Sequence, residues 1–302
     1  MYDAIIVGGG PAGLAAAVYL ARQKVQFALI ADTIGGQTLW SSDVENYLGF
    51  HLLNGGDLVK KFKEHLKDYE GAFDLKEGES VTKIDRLTVG FRVTTPKGSY
   101  ESKTLLIATG ETHRALGVPG EKEFYGRGVT YCATCDAPLF KDKDVAVIGG
   151  GNSAMDAALF LEKYAKSISI LTANAALAGD GVMMKKIAAS SKMQVISGSK
   201  TTRILGDSFV SGLSYEAEGE KHALDVQGVF IEIGLIPVSD FIDFVKKDKS
   251  GQIEVTIHNE TSVPGVYAAG DVTTVTEKQI AVAVGEGSKA ALTLIKWLQR
   301  QG

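Results

Sequence analysis

The sequence predicts an α/β protein built from two units, the second inserted into the first, and three observations carry that expectation. The first is an internal repeat. Val7-Gly8-Gly9-Gly10-Pro11-Ala12-Gly13-Leu14 recurs as Ile148-Gly149-Gly150-Gly151-Asn152-Ser153-Ala154-Met155, 141 positions further on. The second is context: each copy follows a short apolar run, Ala4–Val7 or Val145–Ile148, and leads through an alanine-rich stretch to another, Phe27–Ile30 or Ile168–Leu171. Strand, glycine turn, helix and strand, occurring twice, read as two Rossmann-like nucleotide-binding units, each with its own parallel sheet. The third is glycine itself, 35 of 302 residues without a three-residue period, against an average near 7%.

The segments between the repeats justify the insertion. Residues 75–110 alternate apolar and polar side chains around turn residues such as Lys97-Gly98, a pattern of antiparallel strands. They close on the buried run Thr104-Leu105-Leu106-Ile107-Ala108-Thr109-Gly110. A similar pattern over 193–234 ends in Gly228-Val229-Phe230-Ile231-Glu232-Ile233-Gly234. The C-terminal part supplies Gly265-Val266-Tyr267-Ala268-Ala269-Gly270-Asp271 and then a long helix pattern from about Ile280 to Gln299. If the chain returns there to its first unit, one domain comprises 1–113 and 240–302 and the inserted one 114–239.

Composition excludes several classes. The chain is 45% hydrophobic and 23% charged with a formal net charge of −4, which argues against disorder and against a polybasic nucleic-acid binder. The uncharged run from Ala4 to Ala21 is long enough to raise a membrane span, but Gly8-Gly9-Gly10-Pro11 would break it. Met1-Tyr2-Asp3 leads into an apolar strand with no basic leader region. Two cysteines are no disulfide framework and point to a reducing compartment. A cytoplasmic protein without nucleic-acid or membrane partners is the expectation.

Gly8-x-Gly10-x-x-Gly13 suits a dinucleotide because each glycine removes a steric barrier: for the tight turn, for backbone approach to the pyrophosphate, and for helix–strand packing. The helix that follows offers N–H groups and partial positive charge to phosphate. Asp32, 19 residues beyond Gly13, stands where a ribose partner is expected, or belongs to the loop before Gly35-Gly36-Gln37. The second copy reads Gly149-x-Gly151-x-x-Ala154, so Gly149, Gly151, Asn152, Ser153 and Ala154 are candidate contacts for a nicotinamide nucleotide. However, Ile170 to Gly179 contains neither the carboxylate of an NAD site nor the arginine of an NADP site. NAD(P)H binding is therefore doubtful, and the pocket reads as weak or vestigial.

Cys132-Ala133-Thr134-Cys135 is the third motif. Zinc needs more ligands than two cysteines supply, and His113 and His222 are distant in sequence, so no metal is expected. A loop this short removes little unfolded-state entropy when closed, so a purely stabilising bridge is a poor reading. Thiol–disulfide exchange is the natural use. Asp136 follows at once, either as a general acid–base group or as an exposed turn carboxylate. The other histidines and the run Lys246-Lys247-Asp248-Lys249 read as solvated surface.

In their order along the chain these motifs, with Val44-Glu45-Asn46-Tyr47 and Lys278-Gln279-Ile280-Ala281, resemble low-molecular-weight thioredoxin reductases over essentially the whole length. The resemblance implies FAD in the first domain. Its contacts would be Gly8, Gly10, Pro11, Ala12, Gly13, Asp32, Gly36, Gln37, Asn46, Thr109, Gly110, Gly270, Asp271, Lys278, Gln279, Ile280 and Ala281. It also implies a redox pair in the inserted domain, with Cys135 toward the flavin, Cys132 attacking the disulfide of thioredoxin or a thioredoxin-like protein, Asp136 as acid–base, and a homodimer. One departure matters: NADPH-dependent members carry His-Arg-Arg and a further Arg where this sequence has Thr172, Ala173, Asn174 and Ala178. It resembles the members without that signature, among them a ferredoxin-dependent flavin type. The expectation is thus an FAD-dependent disulfide reductase whose donor is not NADPH, with ferredoxin the candidate in its place. Its rivals are an FAD-dependent dithiol oxidase using oxygen, an NAD(P)H-dependent thioredoxin reductase with atypical contacts, and a flavin-binding scaffold without turnover.

Overall fold

The structure, a computed structural model, describes residues 1–40, 44 and 46–301, with the side chains of Trp40 and Cys135 outside that description. The chain divides into two compact units, one of Met1–Thr112 with Ile236–Gly302 and one of His113–Leu235.

The chain opens with β1 (Tyr2–Gly9), α1 (Pro11–Arg22), β2 (Phe27–Ile34), α2 (Gly55–Lys67), β3 (Asp74–Glu77), β4 (Lys83–Arg86), β5 (Phe91–Thr95), β6 (Gly98–Ile107) and β7 (Glu111–His113). The second unit follows with β8 (Val129–Thr130), α3 (Ala133–Asp136), β9 (Asp144–Ile148), α4 (Asn152–Leu161), β10 (Ser167–Leu171), α5 (Gly181–Ala189), β11 (Met193–Ile196), β12 (Ser199–Gly206), β13 (Val210–Ala217), β14 (Glu220–Leu224) and β15 (Gly228–Ile231). Then β16 (Leu235–Pro237), β17 (Val266–Ala268) and α6 (Ile280–Gln301) complete the chain. β7 and β16, where the chain passes between the units, pair as a two-stranded sheet.

In the first unit the sheet order is β3-β2-β1-β6-β5-β4, with β17 also on β6. Strand β6 is shared: its first half pairs antiparallel with β5 from Gly98 to Ser102, and its last residues, Leu105–Ile107, pair in parallel with β17. Alternation along β1 explains why it is central. Ala4 and Ile6 face one core with α1 and α6, while Ile5 and Val7 face the other with Phe91, Val93 and Ile242. Each such large side chain removed from water contributes about 1.5–3 kcal/mol before entropy is counted. Ala16 and Ala17 of α1 and Ala290 and Ala291 of α6 are buried and let the two helices pack closely.

The second unit repeats the plan on a smaller scale. Its parallel sheet runs β11-β10-β9-β15-β8. Val145 and Val147 face α4 and α5, while Ala146 and Ile148 face a core shared with Ile204, Val210 and Leu213 of the antiparallel β12–β14 sheet. Among the described residues no helix is long and apolar enough to cross a membrane.

Candidate active site

The first glycine turn lies between β1 and α1. Gly8 has φ +115°, and a Cβ there would lie 2.2 Å from the Ala108 carbonyl oxygen; a Cβ on Gly13 would lie 2.0 Å from the Gly8 oxygen. The first glycine is thus set by backbone conformation and contact, the third by close helix–strand approach. Gly10 is different. Its φ of −76° suits any residue, and nothing lies within 4 Å of the position a Cβ would take. No side chain caps the N-terminus of α1, and its first turn holds no acid. Free N–H groups beside open space form a cradle that fits a dinucleotide pyrophosphate.

Other segments of the first unit converge on this turn. The Gly35 N–H donates to the Gly9 oxygen at 2.8 Å, and Gly36, at φ +54°, lies against Gly10. Gln37 Nε2 donates to the Glu111 oxygen at 3.0 Å, and Thr109 Oγ1 to the Val238 oxygen at 2.6 Å. Gly110 takes φ +65°, with Gln37 Nε2 3.7 Å from its Cβ position. A Cβ on Gly270 would lie 3.1 Å from the Ala12 Cβ, next to Pro11, and the Gly270 N–H donates to the buried Glu286 carboxylate at 3.0 Å. Burial raises the Asp271 carboxyl, with the Lys278 ammonium opposing; Lys278 Nζ donates to the oxygens of Asp271 and Thr273 at 2.9 and 2.6 Å. Asn46 Nδ2 reaches Gln279 Oε1 at 3.0 Å, just before Ile280 and Ala281 open α6. Asp32 sits near the end of β2 as an exposed residue. Glu45 lies outside the described residues.

The second glycine turn keeps the geometry with one change. Gly149 has φ +147°, and a Cβ there would meet the Glu232 oxygen at 2.2 Å and the Ala154 Cβ at 2.9 Å. Gly151 is open, and α4 starts without a side-chain cap. The loop after β10 folds back as its counterpart does: the Ala178 N–H donates to the Gly150 oxygen at 2.8 Å, and the Asp180 N–H to Asn152 Oδ1 at 2.8 Å.

Beside this turn lies a cavity of about 820 Å³, lined by Gly149 to Ser153, by Thr172 to Asn174 and by residues of β12. Its only ionisable side chains, among the described residues, are Lys200 and Glu232. The topology brings Lys200 there. β11 runs parallel to β10, and the Ser199 N–H then donates to the Thr172 oxygen at 2.9 Å, which sets Lys200 next to the residues after β10. Glu232 follows β15 directly, its N–H donating to the Ile148 oxygen at 2.8 Å. No motif in the sequence points to either residue. The signal for Glu232 was an acid ending an otherwise apolar strand; for Lys200 there was none short of the topology.

The redox turn grows out of β8 in the same unit. Cys132 is disulfide-bonded, and its Sγ lies 3.4 Å from Thr134 Oγ1. The Cys132 N–H donates to Thr130 Oγ1 at 3.1 Å, and the Thr130 hydroxyl donates to Asp136 Oδ2, so one threonine ties the cysteine backbone to the carboxylate. The expected role of Cys135 falls on a side chain outside the described residues. Tyr131 stacks on His113 with ring centroids 5.3 Å apart and donates to Glu121 at 2.7 Å. Burial and then that bond raise the phenol, while burial lowers the His113 imidazole. The buried Glu121 also accepts from the N–H groups of Leu116 and Gly117, both 2.6 Å away, at the cavity wall. Among the described residues no group of three or more His, Cys, Asp or Glu could hold a metal ion.

Two dinucleotide-type cradles in successive α/β units, one of them sharing its unit with a disulfide-bonded turn, define a two-nucleotide redox fold. The chain belongs to the pyridine nucleotide-disulphide oxidoreductase family, whose model matches residues 2–287. It is 37% identical, over 99% of its length, to an alkyl hydroperoxide reductase subunit of Staphylococcus aureus strain MSSA476, and spans 59% of that relative. Among solved structures it is similar to thioredoxin reductase of Lactococcus lactis, at TM-score 0.85 and 33% identity, covering 99% of this chain and 100% of that one. T. acidophilum thioredoxin reductase gives TM-score 0.81 and 40% identity, covering 100% and 99%. A ferredoxin-flavin thioredoxin reductase of Clostridium acetobutylicum gives 0.55 and 30%, covering 99% and 98%.

Proposed function

We propose that this chain is an FAD-dependent disulfide reductase that acts on thioredoxin or a thioredoxin-like protein through Cys132 and Cys135, works as a homodimer, and takes its electrons from reduced ferredoxin rather than NADPH. The observation that carries the reading is the redox turn: Thr130 holds the Asp136 carboxylate and the Cys132 backbone at once. FAD bound in the first unit would, once reduced by the donor, supply the two electrons that open the Cys132 disulfide. Gly8, Gly10 and Gly13 leave the backbone open to its pyrophosphate, and Asp271 and Gln37 stand on the flanking segments. Cys132, once reduced, attacks the partner disulfide to form a mixed disulfide; Asp136, held in place by Thr130, carries the proton to the departing sulfur, and Cys135 then displaces the partner and re-forms its bond to Cys132. The absence of cations at Ala173, Asn174 and Ala178 supports a donor other than NADPH.

The test is reduction of thioredoxin by purified protein with NADH, NADPH or reduced ferredoxin as donor, with the FAD content measured. Yellow protein with one FAD per chain and turnover with ferredoxin is the expected result. Fast turnover with NADPH would move the reading to a pyridine-nucleotide-dependent reductase. Oxygen consumption with small dithiols alone would make it a dithiol oxidase.

A further inference from the structure

The Glu232 side chain stands between two features. On one side it lines the cavity beside the Gly149–Gly151 turn; on the other its carboxylate accepts a hydrogen bond from the Ala133 N–H, one residue from Cys132. Its backbone cannot drift, because its N–H is bonded to the Ile148 oxygen and its own oxygen packs against Gly149. The charged groups facing it are Asp156 on α4 and Lys200 from β12, which lines the same cavity. Nothing in the proposed chemistry above uses this carboxyl.

We propose that the Glu232 carboxyl, bonded to the redox turn at the Ala133 N–H, takes up the second proton when the Cys132 disulfide is reduced; the proposal rests on the disulfide-reductase reading above. With dithiothreitol as reductant the balance is explicit. The dithiol closes to its own disulfide and releases two electrons and two protons. The protein S–S bond breaks, one sulfur takes a proton and becomes a thiol, and the other remains a thiolate. The second proton goes to Glu232. Two negative charges are thereby kept from standing side by side in a half-buried site, where each disfavours the other. Desolvation already pushes this carboxyl up to about 7, and the Asp156 charge adds to that while the Ala133 N–H opposes it. Proton uptake at Glu232 therefore falls in the neutral range.

The experiment equilibrates holoprotein and its Glu232→Gln variant in dithiothreitol redox buffers at pH 6 and pH 8, reading the reduced fraction by thiol alkylation and intact mass. At pH 8 reduction of the wild type has to protonate a Glu232 that is ionised in the oxidised state, a cost that glutamine does not share. The variant is expected to be reduced about tenfold more readily, a midpoint about 30 mV more positive for a two-electron couple. At pH 6 Glu232 holds its proton in both redox states, and the two proteins coincide. Glu232→Asp, which keeps the charge, restores the pH dependence. No gap at pH 8, or the same gap at both pH values, overturns the proposal. A disulfide that dithiothreitol buffers do not open overturns the disulfide-reductase reading itself, a distinct failure because no reduced thiols appear in either protein.

Discussion

Replacing Ala173 and Asn174 together by arginine should convert the second cavity into one that selects NADP(H). Both residues are exposed, line the cavity and follow β10, where ribose recognition occurs in this fold. The backbone there is already held: the Gly198 N–H donates to the Asn174 oxygen at 2.8 Å, and the Asn174 N–H to Thr172 Oγ1 at 3.2 Å. New side chains can thus extend without moving the loop. In the native cavity the one cation available to a 2′-phosphate, among the described residues, is Lys200. Hydrogen bonds to charged groups contribute about 1.5–3 kcal/mol, but exposed ion pairs contribute only about 0.2–1 kcal/mol. A partly exposed guanidinium–phosphate contact should fall between, near 1.4 kcal/mol, or about tenfold in affinity. Two arginines should therefore shift the NADP⁺ over NAD⁺ preference by roughly ten- to a hundredfold. Calorimetric titration with both nucleotides at fixed ionic strength reads this directly, because salt screens the phosphate contacts. The native protein should discriminate by less than tenfold, and Lys200→Gln should remove what preference it has. Native selection of NADP⁺ by tenfold or more, or equal gains for both nucleotides in the double variant, would refute the reasoning.

Gly10→Ala should fold with native stability, since its Cβ meets nothing and its φ is ordinary, yet lose FAD content on purification; Gly8→Ala, strained at φ +115° and against the Ala108 oxygen, should lose about 3 kcal/mol or more in denaturant titration. Cys132→Ser and Cys135→Ser should each abolish disulfide reduction while the flavin spectrum persists, and residual turnover in either would remove the pair from the mechanism. Stability should depend on pH through Glu232. Its folded-state pKa, about 7, exceeds the ordinary 4.5, so the folded state binds the extra proton between those values. The associated stability is fully present below pH 4.5 and is lost as pH rises to about 7. Thermal melts should accordingly show Glu232→Gln more stable than native by about 1–2 kcal/mol at pH 8, after allowance for solvent screening, and equal to it at pH 4.

The α/β class was legible because it rests on local signals. The strand alternation of Ala4 to Val7, the glycines that permit Gly8 and Gly149 their left-handed φ, and the alanines of α1 all act within a few residues. The cavity was not legible in the same way. The stretch from Ile170 to Gly179 correctly shows no charge, but a pocket wall also receives residues from strands that follow later, and Lys200 arrives by the parallel pairing of β10 and β11. Glu232 was visible as a residue and invisible as a neighbour of Ala133, because 99 positions of chain separate them. The Asn46–Gln279 contact spans 233 positions and has no periodic signature at all.

The sharing of β6 has a consequence for the order in which the chain acquires its structure. Leu105 to Ile107 are synthesised early, but their partner strand, Val266 to Ala268, emerges only after the whole His113–Leu235 unit. At translation rates of roughly 5–20 residues per second that wait is on the order of ten to thirty seconds, long compared with the folding of most small domains. Throughout it the nascent first unit presents an unpaired, apolar strand edge, the kind of surface on which chains stick to one another. The inserted unit has all its strands before then and can fold while its host is still open. Synthesis therefore makes the earliest part of the chain the last to become whole, and chaperone demand should concentrate on that interval.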